Sequence, residues 1–425
     1  MLPALSSGSS MKAVRVQRGG AIAPFNDQPG ALPVLGEALE ATQAAAVAAA
    51  GLELVAEPPR GEAHIRFSDR TWFTPEAVRR LVAAGEGRLQ TDDADFLSTT
   101  SPQQRLAAPG VFELALHPGD DRPMEALPPV RVDLGLQSAD LPEPHPRLRH
   151  AIRPIRMGLA MVHQVDHWTH VLRINHLALA ALGLRLKRDF EAAPIWKRVG
   201  GALWILAKAR SVHPAQIGAA LTVRGAKAKI HPTAVVEASQ IGPGAEIGAH
   251  AVVRGSIIGP GARVEEHTTV LGSVIGANAI IARYAMCNFC VVMAEGQLSF
   301  GDGWQFCIVG RGAFVAWGAT GLDLSFGGPV KVEQDGERVS SGHHLLGVAI
   351  GHRAVVGNGV RLHHGVAVPN DAVVVASADD LLRYPAVPEG VEGPFLVERG
   401  RLVPARRRPT PQGSPPAPED PPAEG

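Results

Sequence analysis

The chain has 425 residues but only three cysteines and two tyrosines, and its 41 Lys and Arg balance its 41 Asp and Glu. Three cysteines cannot build a disulfide framework, so a reducing, cytoplasmic setting is expected. Zero net charge leaves no global field to recruit nucleic acid or an anionic membrane. No run reaches the roughly 18 apolar residues of a membrane span. The richest stretches, Ala178–Leu184 and Gly201–Ala207, are short and flanked by Lys and Arg. Met1–Ser10 has neither the basic region nor the apolar run of a signal peptide, and Met11-Lys12-Ala13-Val14 reads like the true start of a domain. Two local gaps matter later. There is no lysine between Lys12 and Lys187, and no histidine between His267 and His343.

What is abundant is a period of 17 residues over Ile230 to Val292. Ile230, Ile247, Val264 and Ile281 form one column, and Val236, Val253, Val270 and Cys287 a second. Ile241, Ile258 and Ile275 form a third, each followed by glycine and preceded two places earlier by Ser239, Ser256 or Ser273. Neither a helical period near 3.6 nor the strand period of 2 fits. An aliphatic residue about every sixth position suits a three-sided parallel solenoid, with one side chain per face pointing into a shared axis. The pattern resembles the hexapeptide-repeat, left-handed β-helix proteins, many of which are acyltransferases. Cys287 falls in an inward column, so Cys287, Cys290 and Cys307 read as core rather than zinc ligands.

Residues 11–135 read as a small α/β unit with a mostly parallel sheet. Strands are expected at Ala13–Val16, Leu52–Ala56 and His64–Phe67, and a helix over Leu39–Ala50. A second helix should open with Thr74 as N-cap and Pro75 at its first position, run through Ala84 and stop at Gly85. Residues 145–210 read as a helical connector covering the first coil, with a helix over Ala151–Leu186 broken at Pro194. His163, His167 and His170 would share one face of it beside Asp166. No His-Glu-x-x-His motif accompanies them, so a half-buried domain contact is preferred to a metal site. The mixed charges along this run argue against a membrane-surface helix.

The β-helix is placed at 212–378, with slots weakening after Val292 and returning at Ile350, Val356, Leu362, Val368 and Val374. Asp335-Gly336 between two strands predicts a type I′ hairpin near 330–340, projecting from the solenoid. The Pro-rich stretch 388–425, with Arg406–Arg408, is expected to be disordered.

Two further resemblances carry functional expectations. Met11-Lys12-Ala13-Val14, Ala31-Leu32-Pro33-Val34-Leu35-Gly36 and Ala49–Val55 look like the opening of sugar-phosphate nucleotidyltransferases. That likeness implies a phosphate-holding loop, here Arg18-Gly19-Gly20-Ala21-Ile22-Ala23-Pro24, with Gly19 and Gly20 as its cofactor-binding residues. The loop is about two residues short, the family's lysine is missing, and Phe67-Ser68-Asp69 comes too early for the metal-binding Asp segment. Active nucleotidyl transfer and a Mg²⁺ requirement are therefore not expected. The stretch from Ile308-Val309-Gly310 through Ser341-Gly342 to Leu346–Gly351 resembles the acetyltransferase half of bifunctional sugar-1-phosphate enzymes. That family joins a nucleotidyltransferase domain to a β-helix and is trimeric.

The resemblance implies acetyl-CoA, or another acyl-CoA, as donor and a phosphorylated or nucleotide-linked amino sugar as acceptor. Acyl transfer needs a base, and histidine suits it. The family's base maps to Phe300, its Asn to Asp323 and its paired arginines to His343 and His344. His343, His344 and Asp323 are therefore the catalytic candidates, with His352 and His363 as candidate donor-site residues. The groove of a homotrimer could bring His343 or His344 to a neighbouring chain's coil. The competing expectation is a non-catalytic scaffold partnering an active paralogue.

Overall fold

The computed structural model describes residues 10–99, 102–139, 155–301, 303–387 and 395–404. From Val223 to Val374 the chain winds through three parallel sheets. Eight two-residue strands, Val223–Arg224 to Ala367–Val368, make the first face. Eight more, Lys229–Ile230 to Val373–Val374, make the second. Five strands, Val235–Glu237 to Gly303–Gln305, make the third. The sequence columns are ladders: Val236 pairs with Val253, Ile241 with Ile258 and Ile247 with Val264. This is a left-handed parallel β-helix following an α/β region. The phase does not fail after Val292, because Leu298 and Trp304 keep their slots and are fully buried.

Local chemistry explains the period. The third-face corner of each coil turns on one left-handed residue: Ala238, Gly255, Gly272, Phe289, then Phe306. The glycine after each first-face isoleucine is needed for stacking. A Cβ on Gly242 would lie 2.7 Å from the carbonyl carbon of Gly259. The serines form a buried ladder. Ser239 Oγ accepts the Ser256 amide at 3.1 Å, Ser256 Oγ that of Ser273 at 3.1 Å, and Ser273 Oγ that of Cys290 at 3.0 Å. Cys290 and Cys307 continue the same column. Their thiols donate to carbonyls (Cys290 Sγ to Trp304 O at 3.3 Å), and burial pushes both thiols well above their usual range.

The N-terminal sheet has six strands in the order Glu53–Val55, Lys12–Val16, His64–Ser68, Val111–His117, Gly87–Gln90, Pro129–Arg131. The sheet is mostly parallel, as expected: only Val111–His117 is reversed, antiparallel to both neighbours. Helices α1 (Leu39–Ala49), α2 (Pro75–Ala84) and α3 (Ala94–Thr99) accompany it. Thr74 Oγ1 caps α2 by accepting the Ala77 amide, and Gly85 ends it at φ 112°.

The connector differs from expectation. Helix α4 spans Trp168–Ala192, not Ala151 onward. Val162–Gln164 is instead a strand, antiparallel to Thr71–Phe73, so its apolar residues obey strand geometry. Pro154 lies outside the described residues. Pro194 does separate α4 from α5 (Ile195–Ala209). The covering of the first coil falls to the short α6 (Pro214–Ala220). Gly218 O accepts the Ala238 amide at 2.8 Å, and Thr222 Oγ1 just beyond donates to Val236 O at 3.1 Å. Helix α4 runs between the α/β unit and the solenoid. Asn175, fully buried on it, accepts the Leu35 amide at 2.7 Å and donates to Pro33 O at 2.8 Å.

The hairpin Lys331–Gln334/Glu337–Ser340 turns on Asp335 (φ 52°) and Gly336 (φ 86°), the type I′ signature. It does not project freely. Gln103 Nε2 donates to Ser340 O at 2.7 Å, Arg105 pairs with Asp335, and Val330 and Val332 are fully buried. One apolar core runs from Ala13 and Phe67 through Trp168 and Leu177 to Val291, Ile308 and Val330.

The described residues after Val374 belong to a separate unit. Within the stretch expected to be disordered, Phe395–Glu398 and Arg401–Pro404 pair as a hairpin around Arg399 and Gly400, both left-handed. Two apolar runs flank that turn, which is why they pair. Arg406–Arg408 lie outside the described residues.

The serine ladder makes a prediction. Ser273→Ala leaves the buried Cys290 amide without its acceptor and should cost about 1–3 kcal/mol by urea denaturation. Ser273→Cys, which reproduces what positions 290 and 307 already carry, should cost well under half as much.

Candidate functional site

An apolar cavity of about 510 Å³ lies between α4 and the third face. Leu177 and Ala180 of α4, Phe289 and Phe306 of the coil corners, and His343 and His344 line it. Phe289 and Phe306 stack at 5.2 Å. His176 meets both edge-on and donates from Nε2 to Phe289 O at 2.9 Å. Burial lowers His176 to about 4, so its ring is neutral at physiological pH. Arg173 is half-buried on the same wall. Desolvation lowers it to about 10, which still leaves it cationic.

His343 and His344 thus reach a cavity within their own chain. His344 Nδ1 lies 3.2 Å from Ser325 O, and a carbonyl can only accept, so Nδ1 carries a proton. Strand-like pairing holds this loop in place: Ser325 N donates to His344 O and Leu346 N to Asp323 O. Burial raises the Asp323 carboxyl, against hydrogen bonds from its own amide and that of Leu324 and the nearby His364. His363 is exposed; its ring lies 3.9 Å from that of His364, which burial and then His363 lower. The cavity lining does not include Asp323, His352 or His363.

His352 has a joining role. It is buried, its Nδ1 accepts the Arg311 amide at 2.8 Å, and its Nε2 therefore donates to Asp27 Oδ2 at 3.1 Å. Its own amide gives 2.6 Å to Asn370 Oδ1, one coil on, as six-residue steps on three faces require. Asn370 Nδ2 reaches Phe25 O at 2.7 Å, and Arg311 also pairs with Asp27. Both ring nitrogens are committed to holding the α/β unit on the last coils. Burial alone would raise Asp27, but His352 and Arg311 together hold its carboxyl below the ordinary value.

Gly19 and Gly20 do not form an open cradle. The Arg18 and Gly19 amides donate to Asp69 Oδ1 and Oδ2 at 3.0 and 3.3 Å. Arg70 Nε donates to Gly19 O at 3.0 Å and Nη1 to Asp166 at 2.9 Å. A Cβ on Gly20 would sit 2.5 Å from Arg70 Nη2. The donors that would meet phosphate meet the chain's own carboxylate. Phe67-Ser68-Asp69, the matched acidic segment, supplies that plug.

The three connector histidines do not share a helical face. His163 sits on a strand, donating from Nδ1 to Gln164 O at 2.7 Å. His167 and His170 form a capping box at the start of α4, and His167 Nε2 donates to Glu333 O of the hairpin at 2.9 Å. Burial lowers His163 to about 3 and His167 to about 4. No cluster of metal-ligating side chains occurs among the described residues.

Sequence reasoning missed Arg173 and Asp27. The signal for Arg173 was a cation between Leu172 and Ile174 on an otherwise apolar helix face. Asp27 gave none, because its partners lie some 280 and 325 residues away.

The GMPPB C-terminal domain family model matches residues 200–301. No curated protein matches the chain. Similar solved structures include a hexapeptide transferase family protein from Anaplasma phagocytophilum, at 19% identity over 36% of this chain and 72% of that one, TM-score 0.20. A putative acetyltransferase from Bacillus cereus is 14% identical over 34% and 76%, TM-score 0.17. The polysialic acid O-acetyltransferase OatWY is 16% identical over 45% and 94%, TM-score 0.19.

His163, His167 and His176 are neutral when buried and free to protonate when unfolded. Their lowered folded values mean that stability is full above pH 6.5 and drops as pH falls towards 4. Each should remove on the order of 2 kcal/mol between pH 7 and pH 5. Urea midpoints across that range check this, and His176→Phe should flatten the slope.

Proposed function

We propose that the chain is an acyltransferase acting in the cavity under α4, moving an acyl group from a thioester such as acetyl-CoA to an anionic acceptor of the amino-sugar phosphate class. The observation that carries this is His344, which meets the cavity with its proton fixed on Nδ1 by Ser325 O. In the reaction, Nε2 takes the proton from the acceptor N–H or O–H as that atom attacks the thioester carbonyl. The new C–N or C–O bond forms, the C–S bond breaks, and the proton leaves with the thiolate. Arg173, a cation in the cavity wall, suits a phosphate or carboxylate on the substrate, since guanidinium–oxyanion hydrogen bonds are charge-assisted. The match of residues 200–301 to the GMPPB C-terminal domain model supports a solenoid of the nucleotidyltransferase-associated kind.

A second reading, a non-catalytic scaffold, is favoured by the plug of Asp69 and Arg70 in the first domain's loop. One assay separates the two. Purified chain is incubated with acetyl-CoA and a panel of amino-sugar phosphates, and free thiol is followed. Acceptor-dependent release, reduced at least about a hundredfold in His344→Ala and less in His343→Ala, is expected. Silence with every acceptor would overturn the enzymatic reading. In parallel, nucleoside triphosphates with Mg²⁺ should not bind the first domain.

The assembly proposed is a homotrimer through the solenoid. Tyr284, Phe300 and Trp317 are exposed on neighbouring coils, and Phe300 and Trp317 stack at 5.7 Å, an aromatic strip suited to another copy. Light scattering should give three times the chain mass, and Trp317→Glu should lower it.

A further inference from the structure

Helix α5 has an unusual surface. Ile195 (68% exposed), Val199, Leu203 (61%) and Leu206 recur at three-to-four spacing along one side, with Trp196 (67%) and Trp204 (61%) beside them. The adjoining side, with Ala202, Ile205 and Ala209, is partly or fully buried. An ordinary surface helix buries its apolar arc; this one turns it outward. Val212, Leu221 and Val223 are also exposed and extend the patch to the first coil.

Charge identifies what covers it. From Ala192 to Val236 there is no Asp or Glu, while Lys197, Arg198, Lys208, Arg210, Arg224, Lys227 and Lys229 all lie there, in a chain of zero net charge. Lys197 sits 5.2 Å over the Trp196 ring and Lys208 5.0 Å over that of Trp204. An apolar arc with tryptophans and a basic rim is the chemistry of a helix lying in the headgroup layer of an anionic bilayer. A second copy meeting this face would bring cations against cations with no carboxylate between them. Spanning is not at issue: at 1.5 Å per residue α5 is about 22 Å long, short of the roughly 30 Å hydrocarbon core. No helix among the described residues is long and apolar enough to cross a membrane.

We infer that α5 is a membrane-surface anchor that seats the first-coil end of the solenoid on anionic lipid. The overall balance of charge conceals this, because the acidic residues lie elsewhere in the chain.

The test uses the full chain and vesicles of phosphatidylcholine alone or mixed with phosphatidylglycerol. Flotation should show at least about tenfold more binding to the mixed vesicles, diminished by salt. Tryptophan emission should shift to the blue on binding, and should still do so in a Trp317→Phe background. Trp196→Glu/Trp204→Glu should abolish flotation. Lys197→Glu/Arg198→Glu, which spares Lys208 because it also donates to Ala220 O, should remove the anionic preference. Absence of binding to either vesicle would overturn the proposal, as would unchanged binding by both variants. So would a lower mass of the tryptophan variant in vesicle-free light scattering, which assigns the face to another copy.

Discussion

Each coil of the solenoid is stable only because another lies above or below it. Two- and three-residue strands have no independent stability, and their apolar residues are buried only by stacking. The constraint is strict on three counts at once. The aliphatic columns must stay aligned, the corner residue must turn left-handed, and the buried amide at the start of each third-to-first-face turn needs an acceptor. The serine column meets the last need, and Cys290 and Cys307 continue it with sulfur. A cysteine pair that looks like metal chemistry is then a packing solution, whose thiols burial keeps protonated.

That rigid stack supports the other elements. Helix α4 lies against it, with Asn175 tied to the α/β unit and His176 tied to the coil corner at Phe289. The hairpin inserted between Val309 and Ile350 returns to the α/β unit through Gln103, Arg105 and His167. At the far end Asp27 is clasped by His352 and Arg311. Removing one partner would strand a largely buried carboxylate, a loss of about 2–3 kcal/mol for a charged hydrogen bond. Three separate ties hold one domain against one flank of the coil, and the cavity is the gap left between them.

The repeat was legible because it is local: period, corner glycines and inward columns can be read within 17 residues. The cap at Thr74, the stop at Gly85 and the turn at Asp335-Gly336 were legible for the same reason. Register across distance was not. His163 looked helical beside His167 and His170 because a three-residue strand carries too few positions to establish a period of 2. The pairing with Thr71–Phe73 that decides the matter comes from 90 residues away. His352 looked like a free imidazole because nothing near it announces Asp27.

The plugged loop and the occupied histidine have a common physical sense. Backbone amides in a tight loop need acceptors, from the chain or from water. Asp69 is that acceptor at Arg18 and Gly19, and Arg70 bridges the same loop to Asp166 at the foot of α4. These contacts tie the first domain to the start of the helix. Under α4 the arrangement differs: Arg173, His343 and His344 line a cavity of about 510 Å³. A concave, mostly apolar volume with a few convergent polar groups is the form a small-molecule site takes, and that is the ground for placing the proposed acyl transfer there.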